Sequence, residues 1–241
     1  MHFYPTSPGR HWARGAFTAL ALLLSACADL PFGARNQAPD FVPSNARGPA
    51  EWPGQIRRIA LLPAHDVTGT LTAEFVATYD QVWADALQHT QRAEFVRLDR
   101  HTLAAWMGRD SIASTDALPS DLLAHIARET GAQAVIFLDV THCAPYPPLG
   151  LGFRAKLVAL PDARIIWVAD ELFDASDAAT AHAAEHFAQR NATGPGEPGS
   201  AVRQSPMLFS AYAFQAVANL LPPRAAPATT AVVAPVPAPA R

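Results

Sequence analysis

The chain has 241 residues, half of them apolar, and a formal net charge of −3. This length fits one domain with additional segments, and the apolar fraction is sufficient for a sizeable core. The acidic balance gives no support to nucleic-acid binding, which requires a basic patch or stripe, so no nucleic-acid partner is expected.

The first 26 residues have the order of a bacterial lipoprotein signal peptide. Arg10 and Arg14 form a basic flank, and residues 16–26 are uncharged but too short to span a bilayer as a helix. The run ends in Leu24-Ser25-Ala26-Cys27, a large apolar residue and two small residues before a cysteine, which is the lipobox pattern. We therefore predict cleavage before Cys27 and attachment of diacylglyceryl and palmitate there. The alternatives are a buried helix or an ordinary secretory signal with a chance cysteine.

The residues next to the lipidated cysteine predict the destination of the protein. Ala28 follows Cys27, and Asp29, which at the earlier position would favour inner-membrane retention, comes one place later. We expect the periplasmic face of the outer membrane. Residues 27–54 then predict a lipidated, proline-containing tether, and residues 222–241 a disordered Pro/Ala-rich tail.

Residues 55–221 predict one α/β domain. Apolar runs indicate strands at 56–63, 95–98 and 134–140, and a hairpin of 153–160 and 164–168 around Pro161-Asp162-Ala163. Helical spacing and end signals indicate helices at 71–89, after Thr102, from Ser120 to Gly131, at 178–189 and at 206–221, where Leu208, Tyr212 and Leu221 would face the core. The expected fold is a mixed sheet with parallel first strands and a C-terminal antiparallel hairpin, flanked by helices.

This order of elements resembles a known superfamily over about residues 55–172. The matching features are strand 59–63, strand 95–98 ending in Asp99-Arg100, Gly131-Ala132-Gln133 before strand 134–140, and the hairpin ending in Ile165-Ile166-Trp167. Together they resemble the CsgG-type curli-secretion lipoproteins, the penicillin-binding-protein activator lipoproteins and the N-terminal domain of TolB. Gln133 stands where an Asp is common. The resemblance implies an envelope assembly or interaction module, without catalysis.

One motif carries possible metal chemistry. His182-Ala-Ala-Glu185-His186 matches H-x-x-E-H, in which two histidines of one helix share zinc and the glutamate acts as a base. Only Glu197 follows as a carboxylate, in a Gly/Pro loop, so a third ligand is missing and a solvated helix face is expected. Residues 194–199 fit G-x-G-x-x-G by accident, because prolines remove amide donors and a helix precedes them. No catalytic, cofactor or metal residues are assigned.

The second cysteine has two interpretations. Once Cys27 carries lipid, Cys143 has no intramolecular partner, so it is a buried apolar residue or forms an intermolecular disulfide. His142-Cys143 could hold a metal, but the sequence names no third ligand.

The sequence predicts a membrane-anchored, non-enzymatic lipoprotein that binds envelope proteins, and association with further copies of itself stays open. One alternative is a subunit of a curli-type secretion complex, for which only residues 153–168 approach the length of a membrane-spanning hairpin. The other alternative is a metal-dependent hydrolase that uses the 182–186 motif.

Overall fold

The computed structural model describes residues 39–119, 121–191 and 199–224. The predicted signal peptide, Cys27, Ser120, Glu197 and most of the predicted tail lie outside these ranges. The strands are β1 (Ala46–Arg47), β2 (Arg58–Leu61), β3 (His65–Asp66), β4 (Glu94–Arg97), β5 (Ala134–Ala144), β6 (Gly150–Ala159) and β7 (Ile165–Asp174). The helices are α1 (Ala73–His89), α2 (Arg100–Met107), α3 (Leu122–Thr130), α4 (Ala178–Arg190) and α5 (Pro206–Ala218), and a 3-10 turn covers Gly199–Arg203.

All seven strands join one mixed sheet, which confirms the predicted fold class. The order is β1-β7-β6-β5-β2-β4, and β3 pairs with β5 beside β2. β2 is parallel to both β4 and β5, as expected for strands joined by helical crossovers, whereas β5, β6 and β7 are antiparallel. β5 to β7 each have 10 or 11 residues, so the hairpin is longer than predicted and lies wholly within the sheet.

Helices cover the two faces of the sheet unequally. The larger core unites one sheet face with α1, α4 and α5, and the smaller core unites the other face with α2 and α3. On β6 the alternation separates the faces, because Phe153, Ala155 and Leu157 are buried in the larger core while Arg154 and Lys156 are half-buried opposite. The face that carries Arg154 and Lys156 is therefore only partly exposed to solvent, and Arg154 pairs with Asp170 at 2.7 Å.

Two helix starts differ from the predicted ones. Asp99, not Thr102, caps α2, since its carboxylate accepts from the Thr102 amide at 2.7 Å and the Thr102 hydroxyl at 2.7 Å. Asp121 is the capping position of α3 and makes no side-chain cap bond. Gly131 ends α3 with φ of 66°, a left-handed conformation that glycine adopts without a steric penalty, as predicted.

The second half of the predicted tether is part of the fold. β1 pairs with β7, the Phe41 ring packs at 5.3 Å against Phe173, and Trp52 is buried. At the other end, the Pro223 carbonyl accepts the Trp52 amide at 2.8 Å. The domain therefore extends beyond residues 55–221 at both ends. Apolar side chains of the proline-rich segment, such as Phe41 and Trp52, pack against the core.

One of the side chains that were predicted to face the core from the last helix is exposed. Tyr212 and Leu221 are buried, but Leu208 is 42% exposed, so it does not belong to the inner stripe. Phe214 lies at the centre instead, with its ring 5.4 Å from Tyr79, 5.6 Å from Trp83 and 4.7 Å from Phe153. Among the described residues, no helix has the length and apolar character needed to cross a membrane.

Candidate functional site

A carboxylate and two imidazoles converge beside α4. Asp177 caps this helix by accepting from the Thr180 amide, and the helix then places His182 and His186 one turn apart on one face. Their ring centroids are 4.1 Å apart. The Asp40 Oδ1 atom lies 3.1 Å from Nδ1 of His182 and 3.0 Å from Nδ1 of His186. We call these three residues the Asp-His-His cluster.

The segment that carries Asp40 is fixed by its neighbours. The Phe41 amide donates to the Ala179 carbonyl in the first turn of α4 at 3.1 Å, and the Phe41 ring packs against Phe173 of β7. Asp40 is therefore positioned by the main-chain and side-chain contacts of Phe41, the next residue, although the Asp40 side chain itself is 42% exposed. No spacing pattern connects Asp40 to the two histidines, because Asp40 is 142 positions before His182.

One nitrogen of the cluster is buried without a well-aligned partner. Nδ1 of His182 is inaccessible to solvent and makes no hydrogen bond within the described part of the chain, although Asp40 Oδ1 is close. Nδ1 of His186, in contrast, lies at hydrogen-bonding distance, 3.1 Å, from Asp40 Oδ2. The distance from His182 to Asp40 is short, but the angle is wrong for a hydrogen bond. The three groups therefore surround a common point and do not form a linear chain of hydrogen bonds.

The glutamate of the H-x-x-E-H motif does not join the cluster. The Glu185 carboxylate lies 3.5 Å from Nη1 of Arg203, in the turn before α5. The base position of a zinc protease is thus engaged elsewhere. The structure brings together His182 and His186 as the motif predicts, but the third group is Asp40 and not a downstream carboxylate.

Cys143 lies against the hydroxyl group of Tyr79, a residue of α1. The Tyr79 hydroxyl is 3.5 Å from Cys143 Sγ, and both groups are partly withdrawn from water. Burial raises the pKa of Cys143 and also raises the pKa of Tyr79. The thiol is therefore held protonated, which disfavours nucleophilic or ligand chemistry. His142 is exposed. Within residues 39–119, 121–191 and 199–224, no group of side chains that could bind a metal contains His142 and Cys143.

Open α/β sheets often bind ligands beyond the carboxyl ends of their parallel strands. Here a cavity of about 240 Å³ lies at the carboxyl ends of β2 and β4, and the charged groups that line it, Asp80 and Arg100, pair with each other. Arg100 donates to Asp80 at 2.9 Å and to the Ala64 carbonyl at 2.8 Å, and the Ala64 amide donates to Asp80 at 2.7 Å. Burial raises the pKa of Asp80, against the opposing effect of these bonds. The fully buried Asp139 accepts from the Ser114 amide and hydroxyl. These groups satisfy one another, so their role is structural.

An open groove of about 640 Å³ lies between α1, α4 and α5. Most of its lining surface is apolar, and the lining also includes charged groups such as Asp85 and Arg190. Met207 and Leu208 are each more than 40% exposed there. The main apolar lining residues are Val82, Ala86, Phe187, Met207, Leu208 and Ala211. Such a surface suits an apolar protein segment better than a small polar substrate.

Neither a family model nor a curated protein matches the chain, but solved structures do. One is a PelC dodecamer from Paraburkholderia phytofirmans, 15% identical, covering 54% of this chain and 82% of that chain, with a TM-score of 0.36. The LpoB C-terminal domain from Salmonella enterica is 16% identical, covering 56% and 86%, with a TM-score of 0.33. TolB from Acinetobacter baumannii is 15% identical, covering 64% and 32%, with a TM-score of 0.28. Two of these neighbours, LpoB and TolB, belong to classes that the sequence resemblance named.

Proposed function

We propose that the protein is a lipid-anchored, periplasm-facing module that binds other proteins during envelope assembly or secretion and performs no catalysis. The observation that carries the binding part of this proposal is the apolar groove between α1, α4 and α5. Met207 and Leu208 stay exposed in it although deeper core positions lie on the same helix. The occupant we propose is an apolar segment of an envelope protein.

We base the anchor on the lipobox, and its distance from the domain on the number of residues between Cys27 and Asp40. Asp40, in the first contacts with the domain, follows Cys27 by 13 positions. A free segment of this length samples about 20 Å, at about 5–6 Å times the square root of the number of residues. A lipid on Cys27 would therefore hold the domain close to the membrane surface, and the residue pair Ala28-Asp29 supports the outer membrane as its location.

The polar groups outside the Asp-His-His cluster support a non-catalytic function. Asp80, Arg100 and Asp139 are paired within the fold, Cys143 is held as a thiol, and Glu185 contacts Arg203. A general base or nucleophile needs a free group within reach of a substrate, and these groups are engaged or withdrawn from water.

The anchor and the groove are tested separately in cells. Metabolic labelling with a lipid precursor and membrane fractionation should find label on the wild type in the outer-membrane fraction. Glutamate at an exposed groove position, Leu208→Glu, should keep folding and membrane attachment but reduce crosslinking to the partner at least about tenfold, because burying one unpaired charge costs several kcal/mol. Arg57→Glu, at an exposed position before β2, is the matched control. Unlabelled protein refutes the anchor, and equal crosslinking by both variants refutes the groove.

A further inference from the structure

We propose that Asp40, His182 and His186 bind a divalent transition-metal ion, with zinc as the favoured one, and that this ion fastens the segment after the anchor to α4. The three groups supply one carboxylate oxygen and two imidazole nitrogens, all within 4.8 Å of one another. Imidazole with carboxylate is a donor set that suits zinc.

Two of the three distances between the ligand atoms are close to those of a zinc site. In tetrahedral zinc with bonds of about 2.0–2.1 Å, neighbouring ligand atoms are about 3.3 Å apart. Asp40 Oδ1 lies 3.1 Å and 3.0 Å from the two Nδ1 atoms. Small outward shifts of these side chains would admit the ion.

The buried nitrogen of His182 is the second, independent observation. It has no aligned hydrogen-bond partner within the described residues, yet it faces a carboxylate and a second imidazole. A buried polar atom without a hydrogen-bond partner costs free energy of folding. A nitrogen of this kind, close to other atoms that can coordinate a metal, therefore points to a bound ion. A metal placed between the three groups would satisfy this nitrogen.

The ligands come from two parts of the chain, and this gives the site a function. His182 and His186 belong to α4, whereas Asp40 belongs to the segment that enters the domain. A metal held by all three would fix where the anchor segment leaves the domain. The position of this metal site relative to the membrane rests on the proposed lipidation of Cys27, but metal binding itself does not.

Two histidines alone, four apart on a helix, can bind metal adventitiously, so the test must isolate Asp40. Detergent-solubilised full-length protein, freed of metal, is titrated with zinc chloride, and the affinity is measured by calorimetry. We expect one zinc per chain. Asp40→Asn and His182→Ala should each weaken binding at least about tenfold, since even outer-shell changes in metal sites cost about 10–100-fold.

Glu185→Gln is the matched control on the same helix, and its affinity should equal that of the wild type, because Glu185 faces Arg203. Cobalt in place of zinc should give the visible bands of a tetrahedral site without a thiolate charge-transfer band, which excludes Cys143. Zinc should raise the melting temperature of the wild type and not that of Asp40→Asn. Equal affinity of wild type and Asp40→Asn, or a thiolate band, overturns the proposal, whether or not Cys27 is lipidated.

Discussion

Replacing Phe214 by alanine tests the packing of α5 against the sheet. Phe214 is fully buried, and its ring contacts the rings of Tyr79, Trp83 and Phe153 at centroid distances of 4.7–5.6 Å. A buried Phe→Ala change costs about 3–5 kcal/mol through lost transfer free energy and the remaining cavity. Because domains are stable by only about 5–15 kcal/mol, this is a large share of the free energy of unfolding.

Urea denaturation of the full-length protein, followed by tryptophan fluorescence, measures this free energy, and a thermal melt should show a fall of about 6–20 °C. Leu208→Ala is the matched control on the same helix. Its side chain is 42% exposed, so its effect should stay within about 0.5 kcal/mol. A loss below about 1 kcal/mol for Phe214→Ala, or equal losses for both variants, would refute the placement of α5 on the core.

Three further predictions concern the lipid anchor, the loss of folding stability at low pH and the H-x-x-E-H motif. Cys27→Ala should abolish lipid labelling and release the protein from the membrane fraction, and a labelled variant would contradict the lipobox assignment. Partial burial favours the neutral acid, but hydrogen bonds led by that from Thr68 hold the pKa of Asp66 below its usual 3.8. Its stabilisation is therefore present above that pH and lost as pH falls through the lower folded value, so Asp66→Asn should flatten the decline that urea melts measure as pH falls below about 4. Glu185→Gln should change stability by less than about 1 kcal/mol and leave partner crosslinking intact, because its pair with Arg203 is partly exposed, and loss of function with retained folding would reinstate a catalytic glutamate.

The fold class was predictable because local patterns agree with the global arrangement. Apolar runs predicted β2, β4 and β5, and helical spacing predicted the helices between them, so the parallel order followed from the rule for crossovers. The proline-aspartate turn predicted the hairpin. Its full length was not predictable, because charged and small residues such as Asp170 and Gly152 interrupt the apolar pattern where β6 and β7 continue.

The remaining features depend on contacts between distant residues. β1 has two residues in a proline-rich segment, and only its pairing with β7 makes it a strand. The capping error at α2 arose because Asp99 and Thr102 are both favourable caps, and a pattern alone does not rank them. Asp40 completes the cluster of His182 and His186 from the far end of the chain, which no spacing rule detects.

We propose that the chain binds an envelope protein through the groove between α1, α4 and α5 while the lipid on Cys27 holds it at the membrane. The most direct measurement places a photo-crosslinking amino acid at Met207 in the full-length, membrane-bound protein, with position 57 as the control outside the groove. Mass spectrometry then identifies what each position captures in living cells. One envelope protein should be captured at position 207 and not at position 57, and this capture should be lost with Leu208→Glu. Capture of the same proteins at both positions, or capture at 207 that survives Leu208→Glu, would contradict it.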